Sequence, residues 1–128
     1  MEVYEKAIAD AVDSIAGRKI YFRPEDIMGL DDDTAERIVG EFLSWACRPQ
    51  NELPISIGRK CLTAFPTDWV SEKIKKTADI SIDITDDWEY RRLLELCDLI
   101  SPQLLSWGIS LGEGSTDPYI IETVEDFK

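Results

Sequence analysis

Apolar residues recur at helical spacing along most of this chain, in short stripes separated by glycine or proline. The first stripe lies on one face of an α-helix and is formed by Val3, Ala7, Ile8, Ala11, Val12 and Ile15. Gly17 follows, and glycine is the residue type that commonly ends a helix in the left-handed conformation. Because helices of so few turns are marginal on their own, such a chain must fold as short helices packed against one another.

Capping residues and prolines mark the starts of the later helices. The predicted N-caps are Asp33 (which forms a capping box with Glu36), Thr67, Thr85, Ser101 and Asp117. Pro24 and Pro54 are predicted to lie in the first turns of two more helices. Residues 18–23 are predicted to be extended. Residues 78–85 are predicted to connect two helices, with a strand as the alternative because their apolar residues alternate. The sequence thus predicts about seven short helices in a single domain, residues 1–128.

Three tryptophans are evenly spaced, since Trp69, Trp88 and Trp107 follow one another at intervals of 19 residues. That interval is close to half of a HEAT-type repeat of about 40 residues. We therefore predict an all-α fold, an antiparallel helix array resembling a HEAT-like α-α superhelix, with an irregular helical bundle as the alternative. Aromatic residues at helical spacing usually pack in a core. The alternative is that one tryptophan, or Tyr119, is an exposed anchor for a partner.

The charge of the chain restricts its partners. It carries 26 acidic and 14 basic residues, which gives a net charge of −12. Such a charge repels nucleic acid and anionic membranes, because binding to phosphate requires clustered Lys and Arg. It attracts a cationic partner and accelerates encounter with it. The alternative is that the acidity serves only to keep the protein soluble.

Catalytic chemistry has few routes in this sequence. There is no histidine, which excludes a Ser-His-Asp triad, a Cys-His pair and a histidine-bearing metal site. Cys47, Cys61 and Cys97 form no Cys-x-x-Cys pair, which argues against zinc or a disulfide framework and for a reducing compartment. We expect no enzymatic activity, no cofactor and no metal. The remaining enzymatic routes are a pair of carboxylates, a Ser-Lys pair, or a divalent metal held by oxygen ligands.

The N-terminal residues also indicate a location. The start MEVYEKAIADAVD carries acids where a secretory signal has basic residues followed by an apolar run. No apolar run in the sequence is long enough to cross a bilayer. We therefore expect a cytoplasmic protein.

Two acidic clusters are the candidate partner-binding residues. The first comprises Asp31, Asp32 and Asp33, and the second comprises Asp83, Asp86, Asp87 and Glu89. Both precede helices, where carboxylates cap the helix and complement its dipole. The functional alternative is a surface that binds a basic partner. Acid-base chemistry is disfavoured in the second cluster, because Arg91 and Arg92 follow it and keep nearby acids ionised.

The C-terminal third resembles a known group of proteins. The segment from Asp86 to Phe127 reads DDWEYRRLLELCDLISPQLLSWGISLGEGSTDPYIIETVEDF. Its start, DDWEYRRLLEL, and its later Gly-x-Gly-Ser-x-Asp-Pro turn are similar to small helical bacterial immunity proteins of polymorphic or contact-dependent growth inhibition toxin systems. The run from Ile55 to Leu62 fits the same group more loosely. The resemblance implies a cytoplasmic inhibitor that binds and neutralises a cognate toxin domain, often a nuclease.

Two functional hypotheses follow from the charge and the resemblance. The first is an immunity protein that blocks the active site or the substrate access of a cationic toxin domain. The second is a HEAT-like adaptor or regulatory module that binds a protein unrelated to a toxin. The neighbouring reading frame discriminates between them, because an upstream secreted protein with a variable C-terminus favours the first. The oligomeric state is open at this stage.

Overall fold

The predicted stripes form helices in the computed structural model, which describes residues 2–20 and 22–128. The described residues contain eight helices and no strand: α1 (Val3–Ala16), α2 (Pro24–Met28), α3 (Asp32–Ala46), α4 (Glu52–Thr63), α5 (Thr67–Ser81), α6 (Asp87–Ile100), α7 (Pro102–Gly112) and α8 (Pro118–Phe127). The all-α helical array is therefore confirmed. Buried apolar residues from all eight helices belong to one cluster.

The N-caps agree with the sequence at two helices and differ at three others. Ser101 and Asp117 cap α7 and α8 as predicted. At α3 the cap is Asp31 instead of Asp33, and at α6 it is Asp86 instead of Thr85. At α5 the N-cap position is held by Pro66, and Thr67 is already the first helical residue. The cause is backbone geometry, because an N-cap residue is extended and its side chain accepts from an amide two or three residues ahead. Asp31 meets both conditions, with a ψ of 154° and a 3.1 Å hydrogen bond from the Thr34 amide.

The segment after α1 contains no strand among its described residues, and Tyr21 lies outside them. Gly17 ends α1 with a φ of +76°, as predicted. Ile20 is fully buried, and its amide donates to the Asp13 carboxylate over 2.9 Å. The first turn of α1 is less buried than its apolar stripe predicts, since Val3 is 78% exposed.

Helix α3 lies at the centre of the N-terminal helices and packs against α1, α2, α4 and α5. It runs antiparallel to α4, and the two backbones touch at Gly58. A Cβ atom placed on Gly58 would lie 2.5 Å from the Ala46 nitrogen and 2.8 Å from the Phe42 carbonyl oxygen. Glycine is therefore required at this position, because any side chain would push the two helices apart.

Helix α5 packs on another side of α3 and runs parallel to it. The direction follows from three contacts along the pair: Asp32 with Lys73 at 3.3 Å, Glu36 with Lys76 at 3.6 Å, and Gly40 beside Thr77 and Ser81. Lys73 is only 3% exposed, and its ammonium group pairs with the carboxylates of both Asp32 and Glu36. A buried ammonium needs such partners, because an unpaired charge in the interior is costly.

The three C-terminal helices form the other part of the array. Helix α7 lies antiparallel to α6, and the two approach closely because Gly108 faces Leu94. Tyr90 of α6 is fully buried, and its hydroxyl donates to the Gly108 carbonyl oxygen over 2.8 Å. Helix α8 covers α6 and α7, and α6 in turn contacts α3 and α4.

The evenly spaced tryptophans occupy unlike environments. Trp69 is half-buried and stacks on Phe65 with ring centroids 4.8 Å apart. Trp107 is half-buried against the core, whereas Trp88 is 52% exposed. The prediction that the tryptophans serve as core is therefore wrong for Trp88, and the equal spacing does not produce equal packing.

The contact at Gly58 gives a stability prediction. Gly58→Ala should lower the free energy of unfolding by about 2–3 kcal/mol, because the added methyl group meets backbone atoms that can move only with their helices. Gly29→Ala is the matched control, since its Cβ would lie no closer than 3.5 Å to the Glu25 carbonyl oxygen. Urea unfolding measures both variants. Equal stability of the two would contradict the close approach of α3 and α4.

Candidate protein-binding face

The negative charge is concentrated in the C-terminal part of the chain. Residues 1–76 contain 14 acidic and 11 basic residues, for a net charge of −3. Residues 77–128 contain 12 acidic and 3 basic residues, for a net charge of −9. The part of the chain that contains α6 to α8 therefore carries most of the net negative charge that a partner would meet.

An ion pair joins the two helices that carry these acids. Arg91 of α6 donates to the Asp126 carboxylate of α8 over 2.8 Å. Tyr119 and Glu122 lie seven and four residues before Asp126, so all three residues share one stripe of α8, next to the buried stripe of Ile120, Thr123 and Val124. Glu122 and Asp126 are exposed, and Tyr119 is 64% exposed.

Helix α6 contributes a matching stripe beside α8. Asp87 and Asp98 are four residues before and seven residues after Arg91, and this spacing places them on the same side of the helix. Asp87 is half-buried and Asp98 is exposed. We call the surface formed by Asp87, Asp98, Tyr119, Glu122 and Asp126 the acidic face. Arg91, its one cation, is already paired with Asp126.

Aromatic rings lie within and beside the acidic face. Tyr119 belongs to it, whereas Trp88, in the first turn of α6, lies on the neighbouring stripe of that helix together with Arg92. The Arg92 guanidinium lies 5.5 Å from the centre of the Trp88 ring. Exposed Trp and Tyr are uncommon on surfaces that bind nothing and are enriched among residues that dominate binding energy. The alternative reading of Trp88 and Tyr119 as anchors therefore has structural support.

The second predicted cluster adjoins the acidic face, but most of it is engaged locally. Asp86 accepts hydrogen bonds from the Trp88 and Glu89 amides, and Glu89 accepts one from the Asp83 amide. Hydrogen bonds from the Thr85 hydroxyl and amide lower the pKa of the Asp83 carboxyl. Asp87 has no such local role and is the member that belongs to the acidic face.

The first predicted cluster lies far from the second. Asp31 caps α3, Asp32 pairs with Lys73, and Asp33 is exposed at the edge of an open groove between α3 and α5. Ser81, near the end of α5, lies beside Gly40. Gly40 follows Asp32 by eight residues, or about 12 Å along the axis, and α6 begins beyond that point. The two clusters therefore do not form one surface.

The sequence contained a signal for the residues that were missed. Asp98, Glu122 and Asp126 were not among the predicted partner-binding residues. The difference in net charge between the two parts of the chain points to α6 and α8, and the spacing of Tyr119, Glu122 and Asp126 places them on one stripe. The contact between α6 and α8 is the part that only the structure supplies.

Metal ligands, thiols and apolar helices are the remaining features to consider among the described residues. No three acidic or cysteine side chains among them converge to hold a metal ion. Burial raises the pKa of the Cys61 and Cys97 thiols to about 12, so neither is an activated nucleophile. None of the described helices has both the length and the apolar character needed to cross a membrane.

Two neighbouring aspartates separate folding from binding. Asp86→Ala should lower the free energy of unfolding by about 1 kcal/mol, because it removes the acceptor for two amides of α6. Asp87→Ala should change it by less than about 0.5 kcal/mol, because its carboxylate has no such role. Thermal or urea unfolding measures both. If Asp87→Ala lowers the free energy of unfolding by more than this, Asp87 serves the fold and is not free to bind a partner.

Comparisons with known protein families, with curated proteins and with solved structures find no match for this chain.

Proposed function

We propose that this chain is an inhibitor of the immunity-protein type, which binds a cationic toxin domain and blocks its active site or its access to substrate. The observation that carries the proposal is the acidic face, where Arg91 is paired with Asp126 and where Asp87, Asp98 and Glu122 share the helix surface with exposed Tyr119. The resemblance of residues 86–127 to such inhibitors concerns α6, α7 and α8, which include both helices of the acidic face.

The physical logic depends on the substrate of the toxin. A nuclease presents Lys and Arg to a polyanionic substrate. An acidic protein occupies the same field, and its charge steers the encounter before any side chain makes contact. At physiological salt this steering extends over about 8 Å, which makes the rate of association sensitive to ionic strength. Tyr119 and Trp88 would then supply contacts that slow dissociation.

Copurification gives the direct test. The chain should form a complex at low salt with the C-terminal domain encoded by the adjacent upstream reading frame. The double variant Asp87→Lys/Glu122→Lys should weaken this complex at least about tenfold, or about 1.4 kcal/mol, because it reverses charge on both helices of the face. Calorimetry or surface plasmon resonance measures the dissociation constant.

A matched pair in the N-terminal part is the control for that variant. Asp33→Lys/Asp68→Lys makes the same change in net charge at two exposed positions of α3 and α5. It should weaken the complex less than about threefold, because charges beyond the screening length contribute little. Equal effects of the two double variants, or no complex at low salt, would contradict the proposal. A complex that leaves the activity of the toxin domain unchanged would instead support an adaptor.

A further inference from the structure

Two arginines share one carboxylate between α4 and α6. Glu95 Oε1 accepts from Arg59 over 2.5 Å and from Arg92 over 2.9 Å. The side chains of Arg59, Arg92 and Glu95 are 26%, 24% and 30% exposed. Burial raises the pKa of the Glu95 carboxyl, but the hydrogen bonds from Arg92 and Arg59 outweigh burial and lower it overall. Two partly desolvated cations are thus balanced by a single anion.

This cluster has more donors than acceptors. An arginine carries five N–H groups, and among the described residues the one further acceptor for the pair is the Pro49 carbonyl oxygen, 3.4 Å from Arg92. The Nε atoms of Arg59 and Arg92 are both buried and have no hydrogen-bond partner among the described residues. About a quarter of each arginine side chain remains exposed, and its outer N–H groups can donate to a carboxylate that arrives from outside.

The arginines also line a cavity that opens to the surface. A cavity of about 340 Å³ is bounded by Arg59 and Arg92 together with Asn51, Glu52 and Ile55. Arg59 also borders a wider groove that carries Lys60, Leu53 and Leu99. Leu53 is 46% and Leu99 is 59% exposed. Glu52 at the rim is exposed to water, where its repulsion of an anion is weak.

We propose that the α4–α6 groove is a second docking surface, which takes an acidic segment of a partner protein, with one Asp or Glu carboxylate on Arg59 and Arg92 and leucine-type side chains on Leu53 and Leu99. The occupant follows from complementarity. Guanidinium groups favour carboxylates in a fork geometry, and the exposed leucines that line the groove with Arg59 match apolar side chains, which a free anion does not provide. The surface is distinct from the acidic face and goes beyond the proposed function, because it selects the opposite charge.

A pair of short peptides tests the carboxylate directly. Both are acetylated and amidated, and they differ only in Glu or Gln between two leucines. The Nε–H signals of Arg59 and Arg92 in ¹⁵N NMR spectra report binding, because both groups are buried and lack partners. The Glu peptide should bind at least about tenfold more tightly than the Gln peptide, or about 1.4 kcal/mol. Equal binding, or no shift with either peptide, overturns the proposal.

Two variants exclude a purely structural role for the cluster. Glu95→Gln frees both arginines, and it should tighten binding of the Glu peptide about fivefold or more, because an internal competitor is gone. Arg59→Lys keeps the charge but loses the fork, and it should weaken binding about fivefold. Arg37→Lys, at an exposed position of α3, is the matched control and should leave binding of the Glu peptide unchanged.

The Glu95→Gln and Arg59→Lys variants also define the results that would overturn the proposal. If Glu95→Gln fails to tighten binding while it remains folded, the arginines serve only to hold Glu95 and the proposal is wrong. If Glu95→Gln unfolds, the Arg59→Lys variant decides. Binding of the Glu peptide that this variant leaves unchanged would show that the proposal is wrong. Sedimentation of the unliganded protein identifies a competing occupant. A concentration-dependent dimer that Arg59→Lys abolishes would show that a second copy, and not another protein, fills the groove.

Discussion

The arrangement of the helices depends on the close packing of α3 with α4 and α5. Gly58 lets the α4 backbone reach the backbone of α3, and Gly40 lets the hydroxyl side chains of α5 approach its other side. Buried Lys73 then joins α5 to the first turns of α3 through two carboxylates. Because α3 and α5 run in parallel, the end of α5 lies far from the start of α3. Helix α6 begins shortly after the end of α5. The position of the acidic face follows from that geometry.

Helix α6 separates two surfaces of opposite character. Its stripe of Asp87, Arg91 and Asp98 lies beside α8, where Asp126 neutralises the arginine and the remaining acids are unopposed. Its other stripe meets α4, where Arg92 and Glu95 join Arg59. An overall charge of −12 therefore hides a local excess of cations. A partner that covers both sides of α6 would need a basic region and an acidic one, which is more selective than net charge alone.

Local structure was largely predictable from the sequence, whereas the meeting of distant segments was not. Glycine and proline mark helix ends through backbone geometry that neighbouring residues decide, so Gly17 and the Ser101 and Asp117 caps were predicted correctly. In the runs Asp31–Asp33 and Thr85–Asp86, several adjacent residues can cap, and the backbone selects one by its ψ angle. The pairing of Arg91 with Asp126, 35 residues apart, and the sharing of Glu95 by two helices depend on the tertiary fold, which no local pattern encodes.

We propose that cationic partners meet this chain on α6 and α8. Backbone amide NMR spectra recorded while a short lysine-rich peptide is added at low salt test this proposal, because they report every helix at once. The largest shifts should occur at Asp87, Asp98 and the residues from Tyr119 to Asp126, and they should disappear as salt is raised. Shifts spread evenly over the chain, or largest at residues 31–33, would contradict it.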